Sequence, residues 1–190
     1  MKITTATTAE AMLSVWKLTH DAYVFSGYAD PQPDGILRHY RHLDLIPETT
    51  VFTAEDDGDL LGTISVTEDG PHGLNVDQVF KDLVDPLRAS GLKTASVWRL
   101  VTQPDFRKSL SVVTRLIGQA VEYFEKRQIV LVLMVVNPKH ERFYQHMLCF
   151  QTISEVRNEK AVKGNPGILM MTDITRLQLC WAAWKERLKI

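Results

Sequence analysis

The sequence predicts one α/β domain built on a mixed central sheet flanked by helices. Three observations predict it. Residues 131–136, LVLMVV, are an apolar run rich in β-branched side chains, too short for a core helix and suited to a strand buried on both faces. Before it, the alternating stretch 94–102 and a long amphipathic stretch from about Arg107 to Arg127 complete a strand, helix and strand, which closes as a right-handed parallel crossover. Asp56-Asp57-Gly58-Asp59, set between the alternating segments 50–55 and 60–67, is the chemistry of a tight antiparallel hairpin.

The remaining elements follow from local signals. Residues 1–6 read as a short first strand. Thr7-x-x-Glu10 reads as a capping box, in which the threonine oxygen accepts from an orphan amide and the glutamate reaches back. The helix behind it carries Ala11, Met12, Val15, Trp16, Ala22 and Tyr23 as its apolar stripe and stops at Gly27. Residues 28–35, with Pro31 and Pro33, are irregular. Residues 36–45 read as a second, short helix whose Arg38, His39, Arg41 and His42 form either a solvated polar face or a meeting point for an anionic substrate. A third helix spans 76–90, with Phe80 and Val84 on its apolar side, Pro86 as the candidate kink and Gly91 as its end. Pro138 lacks the amide that a central ladder needs, so the buried strand stops at Asn137. A short helix follows, with Phe143, Met147 and Phe150 on one face and Tyr144 beside them. Residues 151–157 and 167–174 read as two closing strands. The domain spans 1–175. Residues 176–190 add an amphipathic helix through Leu177, Trp181 and Trp184, which packs on the domain, pairs copies into a homo-oligomer, or lies on a membrane surface, in that order of preference.

Composition narrows the function classes. Of the 190 residues, 45% are hydrophobic and 24% charged, which is globular rather than disordered composition. A net charge of −1 gives no field for nucleic acid, and no apolar run approaches the length of a transmembrane segment. Cys149 and Cys180 are too few for a disulfide framework, so a reduced, cytoplasmic protein is expected. No metal site is expected either. His140-Glu141 meets its next histidine at His146, whereas two histidine ligands on one helix face need a spacing of four.

The strand ending in Asn137, then a helix with Tyr144 and the Cys149-Phe150 pair, resembles the last motif of the Gcn5-related N-acyltransferase (GNAT) superfamily. There a strand ending in Asn is followed by Tyr, three residues and Gly-Phe; here four residues follow Tyr144, and Cys149 replaces the glycine. The order of elements over residues 1–175 is also that of the superfamily. The resemblance implies that Tyr144 stands near the donor sulfur and protonates the leaving thiolate, a task suited to a phenol beside developing charge.

Within the superfamily the chain is most similar to long-chain N-acyl amino acid synthases and acyl-homoserine-lactone synthases. Those enzymes carry Tyr, four residues, Gly-Tyr after the first helix, nearly as in Tyr23 to Tyr28 here. They also carry a strand reading Glu-x-Ser-Arg-Leu, where this chain has Ser96-Val97-Trp98-Arg99-Leu100, and Thr19 stands for an N-terminal arginine of the family. The resemblance places Ser96, Arg99 and Tyr144 at the catalytic centre. An ammonium nucleophile must lose a proton before it attacks a thioester, and Ser96 cannot accept one at neutral pH as a glutamate can. Either another group or a water then serves, with Glu68, His72 and Glu155 as the candidate side chains, or the reaction differs from the family's. Arg99 serves either as a substrate contact or as a structural ion pair.

The resemblance also concerns the donor. Relatives that use coenzyme A hold its pyrophosphate on a glycine-rich turn at the start of the long helix. Here that turn reads Arg107-Lys108-Ser109-Leu110-Ser111-Val112, without either glycine. This favours acyl carrier protein, whose acyl-phosphopantetheine arm brings a single phosphate, over acyl-CoA. Arg107, Lys108, Arg115, Lys139 and Arg142 would attract the acidic carrier. Leu100, Val101, Thr102 and Asn137 would hold the arm between the parted parallel strands, and Phe25, Trp98, Phe80, Leu133 and Met134 would line an acyl tunnel. No permanently bound cofactor is implied. The expected function is transfer of a long-chain acyl group to the amine of a small molecule such as an amino acid. The alternatives are a coenzyme A-dependent N-acetyltransferase and a non-catalytic protein that binds pantetheine or lipid.

Overall fold

A computed structural model describes residues 1–104 and 109–188. The chain runs β1 (Lys2–Thr5), α1 (Ala9–Phe25), β2 (Thr49–Asp56), β3 (Asp59–Glu68), α2 (Asp77–Ala89), β4 (Thr94–Thr102), α3 (Ser109–Lys126), β5 (Leu131–Val136), α4 (Glu141–Leu148), β6 (Gln151–Thr152), β7 (Arg157–Glu159), β8 (Asn165–Asp173) and α5 (Ile174–Leu188). The strands lie in the order β1-β2-β3-β4-β5-β8-β6, with β7 also paired to β8. Only β4 and β5 run parallel; the other pairs are antiparallel. This is the mixed sheet that the crossover and the hairpin require. At the hairpin, Asp57 (φ 51°) and Gly58 (φ 89°) both take the left-handed backbone that a two-residue loop needs to follow the strand twist.

Helices cover both faces. On one, α3 and α5 bury Val112, Leu116, Phe124, Leu177 and Trp181 against Ile64, Val132 and Met170. On the other, α2 sets Phe80 and Val84 on Leu133 and Leu169, while α1 sets Met12, Val15 and Trp16 on Val51. Among the described residues no helix is long and apolar enough to cross a membrane.

Several elements depart from the sequence-based expectations. The cap of α1 is Thr8, whose Oγ1 accepts from the Ala11 amide at 3.1 Å, not Thr7. Strand pairing persists to Ala6, whose amide donates to Val51 O, so the chain turns into the helix one residue later. Residues 36–45 form turns rather than a helix, with Tyr40 (φ 51°) and Leu45 (φ 65°) left-handed. Their side chains are claimed by the rest of the fold: His39, Tyr40, Leu43 and Asp44 are all buried. In α2 the helical geometry breaks at Phe80 (φ −125°, ψ 22°), where the ring is driven into the sheet, rather than at Pro86. The expected strand 151–157 is split in two. Ser154 Oγ accepts the Leu169 amide at 2.8 Å, which takes the chain out of the ladder before β7 re-enters it.

The two cysteines are bonded to each other, which corrects the expectation that they are free. Cys149 is the left-handed C-cap of α4 (φ 55°), and its partner Cys180 lies on α5. The amides of Cys149 and Phe150 donate to Gln145 O and Tyr144 O, so the tight turn for which the superfamily uses glycine survives here with a cysteine.

Candidate active site

The β4–β5 ladder begins at Thr94 and Leu131 and ends at Val97 and Met134, although both strands continue. The cause lies in β4. Ser65 faces Trp98 and Thr63 faces Val101, so Ile64 alone opposes both Arg99 and Leu100. Arg99 takes φ 53° at this bulge, and a bulge bends and twists its strand away from its neighbour. The strands part, and a cavity of about 630 Å³ opens where they separate.

The cavity has two halves of different chemistry. Towards α3 and α5 its wall is apolar, with Val113, Ile117, Ala120, Phe124, Leu148 and Leu177. Towards α1 and the 36–45 turns it is aromatic and polar, with Tyr23, Tyr28, His39, Tyr40, Arg99 and Glu159. Tyr144 stands in the same wall on α4, its ring edge-on to Phe143 and Phe150. Burial pushes its hydroxyl up to about 12, so it is a protonated phenol at neutral pH.

Arg99 is both a buried ion pair and a cavity residue. Its side chain is wholly buried, its Nη2 donates to Asp44 Oδ1, and its guanidinium lies 4.2 Å from the Trp98 ring centroid. Asp44 Oδ2 accepts from Trp16 Nε1 at 2.9 Å, so one carboxylate ties α1 to β4. Nε and Nη1 of Arg99 have no hydrogen-bond partner among the described residues.

Leu100, Val101, Thr102 and Asn137 all line the cavity. Asn137 Oδ1 also accepts from the Lys139 amide at 3.1 Å, capping the 3₁₀ turn Pro138–His140 that leads into α4. Ser96 is elsewhere: fully buried in β4, registered between Thr67 and Leu133, and not part of the cavity wall. Arg107 and Lys108 lie outside the described residues. Of the expected tunnel residues, Phe25, Trp98 and Met134 line the cavity, whereas Phe80 and Leu133 belong to the core under α2.

The three bases that the sequence offered stand away from the cavity wall. Glu68 is paired with Arg127 and Lys93 and accepts from Tyr123; burial raises its pKa, but these partners outweigh it and hold it low. His72 faces Glu48 at 3.3 Å, and Glu155 is exposed on the surface. The carboxyl group that does reach the cavity is Glu159, at the end of β7. It is 7% exposed, it accepts from Tyr40 Oη, and burial pushes its pKa up to about 7. His39 is packed 4.0 Å from the Tyr40 ring; burial, reinforced by Arg99, lowers it to about 3, so it stays neutral. Sequence reasoning missed Glu159, Tyr40 and Asp44. The Tyr23 to Tyr28 segment, His39 and Arg99 were the sequence signals that pointed towards this half of the cavity.

Fold and cleft together define an acyltransferase of the N-acyltransferase type. The model of the family N-acyl amino acid synthase FeeM matches residues 14–173, and the chain belongs to that family. The solved structure of FeeM, an N-acyl amino acid synthase from uncultured soil microbes, superimposes with TM-score 0.83 at 22% identity, covering 94% of this chain and 92% of that one. An acyl-CoA N-acyltransferase from Pseudomonas aeruginosa aligns with TM-score 0.63 at 19% identity, over 90% of this chain and 99% of that one. A CoA-dependent acyl-homoserine lactone synthase, BjaI, solved with SAM and isopentyl-CoA, aligns with TM-score 0.66 at 14% identity, over 99% and 88%. Among curated proteins no sequence matches.

Proposed function

We propose that the protein transfers a long-chain acyl group from the phosphopantetheine thioester of an acyl carrier protein to the amine of a small molecule, with an amino acid as the leading acceptor. The observation that carries this reading is the two-sided cavity at the parting of β4 and β5. Its apolar half suits an alkyl chain, its polar half suits a charged acceptor, and the reacting carbonyl would sit between them.

In this reading the backbone of Leu100 to Thr102, past the last β4–β5 pair, binds the pantetheine arm and offers an amide to the oxyanion. The amine attacks the thioester carbon, the tetrahedral adduct collapses, and the departing thiolate takes a proton from Tyr144. The free Nε and Nη1 of Arg99 are donors for an acceptor carboxylate. A carrier-protein donor fits the start of α3, where Val112 is buried and packs close to Gly62, and half-exposed Leu110 stands at the cavity wall. Exposed Arg115, Lys139 and Arg142 provide positive charge for an acidic carrier.

Mass spectrometry of the protein incubated with long-chain acyl carrier protein and the standard amino acids, beside acetyl coenzyme A as donor, tests this. An N-acyl amino acid from the carrier donor is expected, and Tyr144→Phe should lower kcat by about 10²–10⁴-fold. Acetyl transfer alone would reassign the donor. No amide from either donor, with the protein folded, would refute the reading.

A further inference from the structure

Acyl transfer to an amine has a proton problem that the residues so far assigned leave open. At neutral pH an aliphatic amine arrives as an ammonium, which has no lone pair, so a group in the cavity must take its proton before attack. Tyr144 is a phenol that burial keeps protonated, and Arg99 is a cation. Ser96, at the strand position where related synthases carry a glutamate, is outside the cavity wall and has no acceptor of useful basicity.

Among the described residues, Glu159 is the only carboxylate that lines the cavity. It comes from β7, three strands away in sequence from the β4 position of Ser96, and its carboxyl is fixed by the Tyr40 hydroxyl. Oε2 stands over Gly167 of β8, 3.6 Å from where a Cβ would be, and Val135 of β5 approaches the same point. The carboxyl is therefore on the mouth of the strand parting. Glu159, Tyr23, Tyr40 and Tyr144 all line this one cavity, which places the acid and the carboxylate on a shared wall.

We propose that Glu159 is the catalytic base that takes the proton from the acceptor's ammonium, standing in from β7 for the carboxylate that β4 lacks. The proposal rests on the acyl-transfer reading above. The ionised carboxylate takes one proton from the ammonium, and the free amine forms the C–N bond to the thioester carbon. As the C–S bond breaks, Tyr144 gives its proton to the thiolate, and the adduct's second nitrogen proton passes through water to restore the phenol. The balance is one amide, one thiol and one proton, which Glu159 returns to solvent. The Tyr40 hydrogen bond supports the ionised form and burial supports the neutral one, so the group cycles near neutrality. The titratable groups beside it are Tyr40, through the hydrogen bond, and Tyr23, which lines the same cavity, with His39 behind Tyr40.

The rival base is His140, which lines the cavity four residues before Tyr144 on the same segment. The experiment compares wild type, Glu159→Gln, His140→Gln and the surface control Glu155→Gln across pH, with an amino acid acceptor and with hydroxylamine, which is neutral at pH 7. Glu159→Gln should lower kcat/KM for the amino acid by about 10²–10⁴-fold at pH 7, recover as pH rises and the amine deprotonates itself, and lose less than about tenfold with hydroxylamine. Glu155→Gln should match wild type. Equal losses with both nucleophiles, or a loss confined to His140→Gln, would overturn the assignment while leaving acyl transfer intact. If wild type forms no amide with any donor or acceptor, the acyl-transfer reading fails and the base falls with it. Circular dichroism of each variant separates misfolding from lost chemistry.

Discussion

Replacing Asp44 with alanine removes two buried acceptors at once. Oδ1 pairs with Arg99, whose side chain is wholly buried, and Oδ2 accepts from Trp16 Nε1 at 2.9 Å. Stranding a buried charge costs about 3–5 kcal/mol. An orphaned buried donor costs about 1–3 kcal/mol more. Relaxation works against the full sum, because Arg99 borders a cavity towards which its guanidinium can turn once Asp44 is gone. A net loss of about 3–5 kcal/mol is expected, a third or more of a typical domain's stability. Denaturant unfolding followed by circular dichroism reads it directly, and the melting temperature should fall by about 6–20 °C at this chain length. The double variant Asp44→Leu with Arg99→Met removes the pair together and should cost clearly less than Asp44→Ala alone. A loss below about 1 kcal/mol in Asp44→Ala, or a double variant worse than the single, would refute the view that Asp44 neutralises Arg99.

Stability should respond to pH through two buried groups of opposite sign. Glu159 titrates near 7 when folded and 4.5 when unfolded, so the unfolded chain gives up its proton first and stability falls by about 3 kcal/mol as pH rises from 4.5 to 7. Unfolding at pH 8 should therefore show Glu159→Gln more stable than wild type, with the difference gone at pH 4. His39 titrates near 3 when folded and 6.5 when unfolded, so its contribution falls as pH drops from 6.5 towards 3, and His39→Gln should flatten that acid limb. Reducing Cys149–Cys180 opens a loop between residues 31 apart, and thermal unfolding with and without reductant should differ by about 3–4 kcal/mol if chain entropy governs. The same treatment frees α4 from α5, so kcat should fall if the bond helps to hold Tyr144 in place.

Sequence reasoning reached the elements whose signals are local. The β4–α3–β5 crossover, the Asp57-Gly58 hairpin and the strand-to-helix turn at Asn137 each rest on periodicity or on one residue's backbone preference, and each is present. The same local signals placed Tyr144 on a short helix straight after that strand, whereas its role beside the donor sulfur is what the family resemblance implies. Residues 36–45 were misread because their spacing resembles a helix, while Asp44 finds partners on α1 and β4 that no local window contains. Glu159 carried no signal at all: it closes a three-residue strand and looks like any surface glutamate until Tyr40, 119 residues earlier, is laid against it.

What the sequence by itself determined is therefore the order and type of most elements and the parallel pair at the centre. These follow from side-chain patterning and turn chemistry acting over a few residues. Only the tertiary structure decided where β4 and β5 part, which loops wall the opening, and that the carboxylate facing it comes from β7 rather than β4. A bulge that puts Arg99 in left-handed backbone, a buried ion pair and a carboxyl titrating near 7 are all products of burial and long-range packing, and those energies exist only once distant segments meet.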